Sequence, residues 1–416
     1  MGEQARIAVI GAGWAGIAAA VTCADAGAAV TLFEAGRVAG GRARSVNIAG
    51  RTLDNGQHIL LGAYHETLAL MRQVGADPQR MFSRRPLCLL EGDTFQLHLP
   101  NLPAPLHLAA GLLGAHGVSW REKIRTALWM QGIKWRKFRL DQTQSVAEWL
   151  DAAGQTGALR RHLWEPLCLA ALNTAPEQAC AQLFAHVLRD SLGSPQREAT
   201  DLLLPRVPFG ELLPEPALAW LAQRGADLRL GQRVRQLAGT RIDDEDFSAV
   251  IVAVAPHHLS RLLPAVPDTF SYEPIATVYL DYGAQTVLPF PLRHLGAGTA
   301  AWAVDRGQGM IGCAISGHGD WETLADNALA ARMADALGLG APHWQQVIRE
   351  KRATFSARPG LRRPDYRTDH PRVFLAGDYT WADYPATLEG AVRSGRRAAF
   401  AAIQASKRPA CSCNTR

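Results

Sequence analysis

The chain has 416 residues, 48% hydrophobic and 20% charged, which is enough for two cores and argues against disorder. No apolar run reaches the roughly 18 residues of a membrane span, and no signal-peptide pattern opens the chain, so a cytoplasmic protein is expected. Seven scattered cysteines form no metal-like pair of pairs, so reduced thiols and no metal site are expected.

Residues 7–10 are a short apolar run and read as a buried parallel strand. Gly11, Ala12, Gly13, Trp14, Ala15 and Gly16 follow, and the alanine-rich stretch to Ala26 reads as a helix stopped by Gly27. Residues 30–33 read as a second strand closed by Glu34, with Ala35 next to it. Each part has a task in cradling a dinucleotide. Gly11 permits the tight turn, Gly13 lets backbone approach a pyrophosphate, and Gly16 allows close helix–strand packing. The helix N-terminus presents unpaired N–H groups to phosphate, and Glu34 is spaced to meet ribose hydroxyls. The glycine pattern alone is weak: residues 307–312 match it, and residues 296–301 match it loosely. Strand-like residues follow both, so both read as turns.

Gly40, Gly41 and Arg42 come next, a flexible basic loop able to close over a pyrophosphate. Residues 106–113 are apolar. Residues 120–140 then combine seven basic side chains and one acid, Glu122, with Trp120, Ile124, Leu128, Trp129, Ile133, Trp135 and Phe138. On a helix, Ile124, Leu128 and Trp135 share a face. Two readings stay open: an interfacial helix on anionic lipid, or an amphipathic cap helix with a solvated basic face. No nucleic-acid-reading motif is present, so no nucleic acid partner is expected. Residues 167–172 are an apolar run ending at Asn173, which either caps a helix or touches substrate. Trp164 is either core or an aromatic face for a cation. Residues 249–256 read as a strand. Residues 277–280 and 310–315 do so too, and residues 327–337 have helical spacing. Near the end, residues 373–376 read as a strand before Gly377 and Asp378, and a last helix opens at about Pro385.

The Gly-Gly-Arg placed after the second strand's acid resembles the flavin amine oxidase and phytoene desaturase superfamily. That resemblance implies an α/β fold: an FAD-binding Rossmann-like domain with an inserted β-sheet plus helical substrate domain, amine oxidase-like. It implies a mid-chain strand at residues 231–237 that places Val234 near the adenine, and it places Asp378 on the ribityl chain. It also places the loop of Gly56, Gln57 and His58 beside the flavin ring. The N–H groups of Ala386, Thr387 and Leu388 would face the flavin edge that becomes anionic on reduction. No cysteine lies in residues 385–390, so the FAD is expected to be non-covalent. The FAD-binding domain is expected at 1–85, 205–265 and 365–408. The substrate domain is expected at 86–204, with helix-like spacing, and at 266–364; a flexible tail would occupy 409–416.

Three segments are more particular: residues 53–64, 166–174, and 376–380 with 384–390. They resemble the hydroxysqualene dehydroxylase family. The implied substrate is a long apolar isoprenoid bearing an allylic hydroxyl. Loss of the hydroxyl leaves an allylic cation, and hydride from reduced flavin gives squalene. A peripheral position on the inner membrane face would suit such a substrate. A desaturase or amine oxidase on the same scaffold is the alternative. A non-catalytic isoprenoid carrier is disfavoured by Glu34, Arg42 and Asp378. For chemistry, His58 is a candidate proton donor, or it only bonds a carbonyl and shapes its loop. Tyr379, Asp383 and Tyr384 lie between Asp378 and the last helix. Asp383 is a candidate buried acid, or a solvated loop acid. Glu389 is read as a first-turn acid favoured by the helix dipole.

Overall fold

A computed structural model describes residues 4–91, 94–141, 143–290, 292–296 and 301–407. The expected flexible tail at 409–416 and most of the loose glycine match at 296–301 lie outside the described residues.

The first core is a five-stranded parallel sheet. Its strands run in the order Asp227–Leu230, Ala29–Glu34, Arg6–Ile10, Ala249–Val252 and Val373–Leu375. Register is continuous: Ile7 pairs with both Ala249 and Val30, and Val250 pairs with Val373. The central strands are largely apolar because both faces of the sheet are covered: the Trp14–Asp25 and Leu388–Ser406 helices pack on one, and Ile242, Phe247, Leu259 and Leu262 on the other. The Trp14–Asp25 helix is almost wholly buried, so alanine, not charge, fills it. Ile17 and Val21 are fully buried, and such side chains contribute roughly 1.5–3 kcal/mol each. Gly27, at φ +84°, ends this helix; its N–H and that of Ala28 donate to Ala24 and Cys23 carbonyls. The final helix, Leu388–Ser406, lies against it so closely that a Cβ on Gly395 would stand 2.1 Å from the Ala15 carbonyl oxygen. Strands from residues 6–34, 227–252 and 373–375 thus share one sheet.

Residues 231–237 correct an expectation, for only Leu237 among them is in a strand, the short Leu237–Ala238. The chain leaves the sheet at Leu230 and turns at Gly231, φ +76°, whose N–H donates to the Gly36 carbonyl. Val234 follows in irregular backbone, buried nonetheless.

The second core is an antiparallel sheet ordered Leu292–His294, Ala301–Asp305, Met310–Ser316, Tyr272–Asp281 and Trp344–Phe355. Alternation divides its faces. Val278, Leu280, Ile311 and Cys313 pack with the Asp326–Leu337 helix through Leu329 and Met333. Ile275, Thr277, Ala314 and Ser316 point the other way, into a cavity. Gly307 and Gly309, at φ +84° and +76°, form the turn before Met310, as expected.

A third core surrounds Leu150, Trp164, Phe184 and Leu188 among the helices between residues 106 and 190. Residues 86–204 are not all helical: Cys88–Glu91 and Phe95–His98 form a hairpin. Alternation of buried Phe95 and Leu97 with exposed neighbours explains it. The basic segment is a helix only over Trp120–Trp135. Lys137 and Phe138 take positive φ, which breaks the helix, and Phe138 turns into the core. Ile133 is also buried, and so is Lys123, whose ammonium donates to the Leu113 carbonyl at 2.6 Å.

Candidate active site: two adjoining cavities

A long cavity of about 1120 Å³ runs between the parallel sheet and the antiparallel sheet. Its first wall is the strand-to-helix turn. Gly11 sits at φ +104°, and a Cβ there would meet the Ala253 carbonyl oxygen at 2.6 Å. A Cβ on Gly16 would meet the Gly11 oxygen at 1.8 Å, so that glycine serves packing, as does buried Ala12. Gly13 faces open cavity instead, with only Gly41 Cα at 3.9 Å. Glu34 closes the turn from the second strand: its carboxylate accepts from Ala12 N at 2.8 Å and Gly36 N at 2.7 Å.

Of the residues expected at a cofactor, Gly11, Gly13, Trp14, Ala15, Glu34, Ala35, Gly41, Arg42, Gly56, Gln57, His58, Val234, Gly377, Asp378, Ala386, Thr387 and Leu388 all line this one cavity. Ala12 and Gly16 lie behind it. Arg42 donates to the Ala353 carbonyl at 2.7 Å and pairs with Asp378 at 2.6 Å. Burial opposes its charge, but Asp378 outweighs that and raises the guanidinium's pKa. The last helix begins at Leu388, later than expected from Pro385, because Thr387 is its N-cap; the Thr387 hydroxyl accepts from Gly390 N at 3.0 Å.

Sequence reasoning missed much of the cavity's charge. Seven arginines line it, among them Arg37, Arg233, Arg235, Arg261 and Arg352, against three carboxylates. That excess suits a pyrophosphate. His257 and His258 line it too, both with pKa lowered by burial. Their position after Pro256, at a helix start on the exit of the Ala249–Val252 strand, was the available signal.

The loop after Gly56 is firmly held. Gln57 N donates to the Thr277 hydroxyl at 3.0 Å, while Gln57 Oε1 is buried with no protein partner. A buried acceptor without a donor points to a ligand. His58 Nδ1 lies 3.0 Å from the Gly56 carbonyl, and its ring lies 4.9 Å from Phe209. Burial lowers its pKa, so a neutral imidazole donates to that carbonyl and shapes the loop.

Asp383 needs correction as a cavity acid. It is exposed and lines neither cavity, because the turn before Tyr384 carries it outward; its carbonyl accepts from His186. Tyr379 lines the long cavity and donates to the Val254 carbonyl at 3.1 Å. Asn173 is a left-handed helix cap at φ +49°, its amide satisfied by Thr354 and Gly317. Trp164 is core, 2% exposed. Glu389 exceeds a dipole role: fully buried, it accepts from Glu66 N, Thr67 N and Thr67 Oγ1 and pairs with Arg393.

A second, apolar cavity of about 170 Å³ meets the first at Gln57, Ile59, Tyr64, Ala170, Ala171 and Thr387. Leu87, Leu89, Leu163, Leu167 and Trp302 form much of its wall. Tyr384 and Asp190 also line it, and the Tyr384 hydroxyl donates to Asp190.

The chain matches flavin containing amine oxidoreductases over residues 14–403. It is 31% identical to a hydroxysqualene dehydroxylase of Rhodopseudomonas palustris, covering 96% of this chain and 98% of that one. Identity is 29% to a hydroxysqualene dehydroxylase of Zymomonas mobilis, over 95% and 98%. A probable zeta-carotene desaturase of Synechococcus elongatus is 25% identical over 96% and 99%. An oxidoreductase structure from Methanosarcina mazei shares the fold with a TM-score of 0.71 at 15% identity, over 95% and 99%. A putrescine oxidase structure does so with a TM-score of 0.67 at 17% identity, over 97% and 99%. The glycine cradle, the arginine-lined cavity and these matches agree on a flavin, and the chain belongs to the flavin containing amine oxidoreductase family, within its hydroxysqualene dehydroxylases.

Proposed function

We propose that the chain holds FAD non-covalently in the long cavity and reductively removes the hydroxyl of hydroxysqualene, giving squalene. The observation that carries this reading is the junction of a long arginine-lined cavity with an apolar one. The open face of Gly13 and the arginines suit the pyrophosphate, Glu34 the ribose, and the unpartnered Gln57 Oε1 a donor on the ring. Among the described residues no cysteine lines the cavity, which supports non-covalent binding. Bound and reduced, the flavin supplies hydride to the carbon that loses its hydroxyl. The leucine-rich walls keep water from the allylic cation, which water would otherwise trap.

Anaerobic incubation of the photoreduced protein with hydroxysqualene tests the reading. Squalene should form in step with flavin reoxidation. Unchanged alcohol, or desaturation of a polyene by the oxidised protein instead, overturns it. Release of free FAD into the supernatant on acid precipitation checks that the attachment is non-covalent.

The substrate's solubility leads to a partner. Leu102, Leu106, Leu113, Trp120, Ile124, Leu128 and Trp135 are all exposed and fall within one short stretch of chain. Arg121, Arg125, Lys134 and Arg136 accompany them, also exposed. We propose that this surface rests on an anionic membrane. Among the described residues no helix is long and apolar enough to cross one.

A further inference from the structure

We propose that Asp190 and Tyr384 form the point in the apolar cavity that recognises the substrate hydroxyl, and so set a preference for alcohol over hydrocarbon. This rests on the dehydroxylation reading above and names the residues that would carry its selectivity. Asp190 is the one carboxylate on this cavity's wall among the described residues. A carboxylate set in a leucine-rich wall is costly unless it is paired. Here it is well paired: Arg189 donates to both its oxygens, at 2.6 and 3.0 Å, and Tyr384 donates its hydroxyl. Burial works against the charge, but these bonds outweigh it and hold the carboxyl below its ordinary pKa. Burial and the Asp190 bond push the Tyr384 phenol up, so its proton stays in place.

The pair therefore presents an ionised carboxylate and a phenol oxygen with acceptor capacity left. A substrate hydroxyl can donate to either; a hydrocarbon can donate to neither. The product carries no hydroxyl, so this interaction ends with the reaction. The tie also reaches across the fold, because Asp190 ends the Ala181–Asp190 helix while Tyr384 precedes the cofactor-facing helix.

The experiment titrates the oxidised holoprotein with hydroxysqualene and with squalene, reading the flavin spectrum. Wild type should bind the alcohol more tightly. Tyr384→Phe and Asp190→Asn should each reduce the alcohol-to-hydrocarbon affinity ratio by about tenfold while squalene affinity and flavin content hold. An unchanged ratio in both variants overturns the proposal, and so does equal weakening of both ligands, the mark of a merely structural role. If Asp190→Asn fails to fold, Tyr384→Phe decides alone. Should wild type neither bind nor convert hydroxysqualene, the dehydroxylation reading falls as well; loss of selectivity control alone leaves that reading standing.

Discussion

Glu34 and Asp378 line one cavity, and each already holds protein: Glu34 the cradle's N–H groups, Asp378 the Arg42 guanidinium. Glu34→Ala and Asp378→Ala should each weaken FAD retention by about 1.5–3 kcal/mol, measured as flavin per protein after gel filtration at low free FAD. Full occupancy in both would contradict the assignment. Asp383→Asn should leave turnover near wild type, since its exposed carboxylate reaches neither cavity; a 100-fold loss would restore it as the acid. The glycines and Glu34 were legible because sterics and ribose geometry fix their spacing along the chain. The Asp190–Tyr384 pair was not, because its members are 194 positions apart and no local pattern links them. Tyr384 could be placed near the site by its neighbour Asp378; nothing marked Asp190.

Elements were legible where an unbroken apolar run is bounded by glycine or a charged residue. The buried strands and the Trp14–Asp25 helix are of this kind. The Trp344–Phe355 strand was not, because as an edge strand it carries Arg349, Glu350, Lys351 and Arg352, and its alternation is masked. The Trp120–Trp135 helix shows another limit. Spacing placed Ile124, Leu128 and Trp135 on one face, but only the fold shows that this face is the outer one, 57%, 68% and 78% exposed. Wild-type protein should therefore sediment with anionic vesicles, and the combined Lys134→Glu, Arg136→Glu and Lys137→Glu variant should not, each basic charge near the surface contributing on the order of 1 kcal/mol. Leu128→Glu with Trp135→Glu should also abolish sedimentation, this time by removing the apolar anchors. Binding absent from wild type, or unaltered in both variants, would sink the membrane proposal.

Over the whole molecule, Asp54 joins the cofactor loop to the antiparallel sheet. Its buried carboxylate pairs with Arg306 at 2.7 Å and accepts from Phe209 N at 2.7 Å. Asp54→Ala leaves Arg306 unpaired and should cost about 3–5 kcal/mol, read from the thermal midpoint of the holoprotein. The protein should also be acid-labile. Burial lowers the pKa of His58, His107, His186, His257 and His258 in the fold below the ordinary 6.5. The unfolded chain then binds more protons, so their contribution is complete above about pH 6.5 and lost as pH falls through the lowered values. A thermal midpoint that drops below pH 6.5, with a shallower drop in His58→Gln, is the expected outcome.

The contact of Gly395 with Ala15 sets a timetable for synthesis. The first two parallel strands leave the ribosome early, yet the edge strand at Val373–Leu375 and the helix that covers them come last. At about 5–20 residues per second, roughly 20–70 s separate the two. Through that interval the glycine cradle stands without its cover, and the nascent chain lacks Asp378 and Thr387. Cofactor capture thus waits for residues 373–406, and a chain stalled before residue 373 has an apolar sheet edge to shield and no flavin to shield it with.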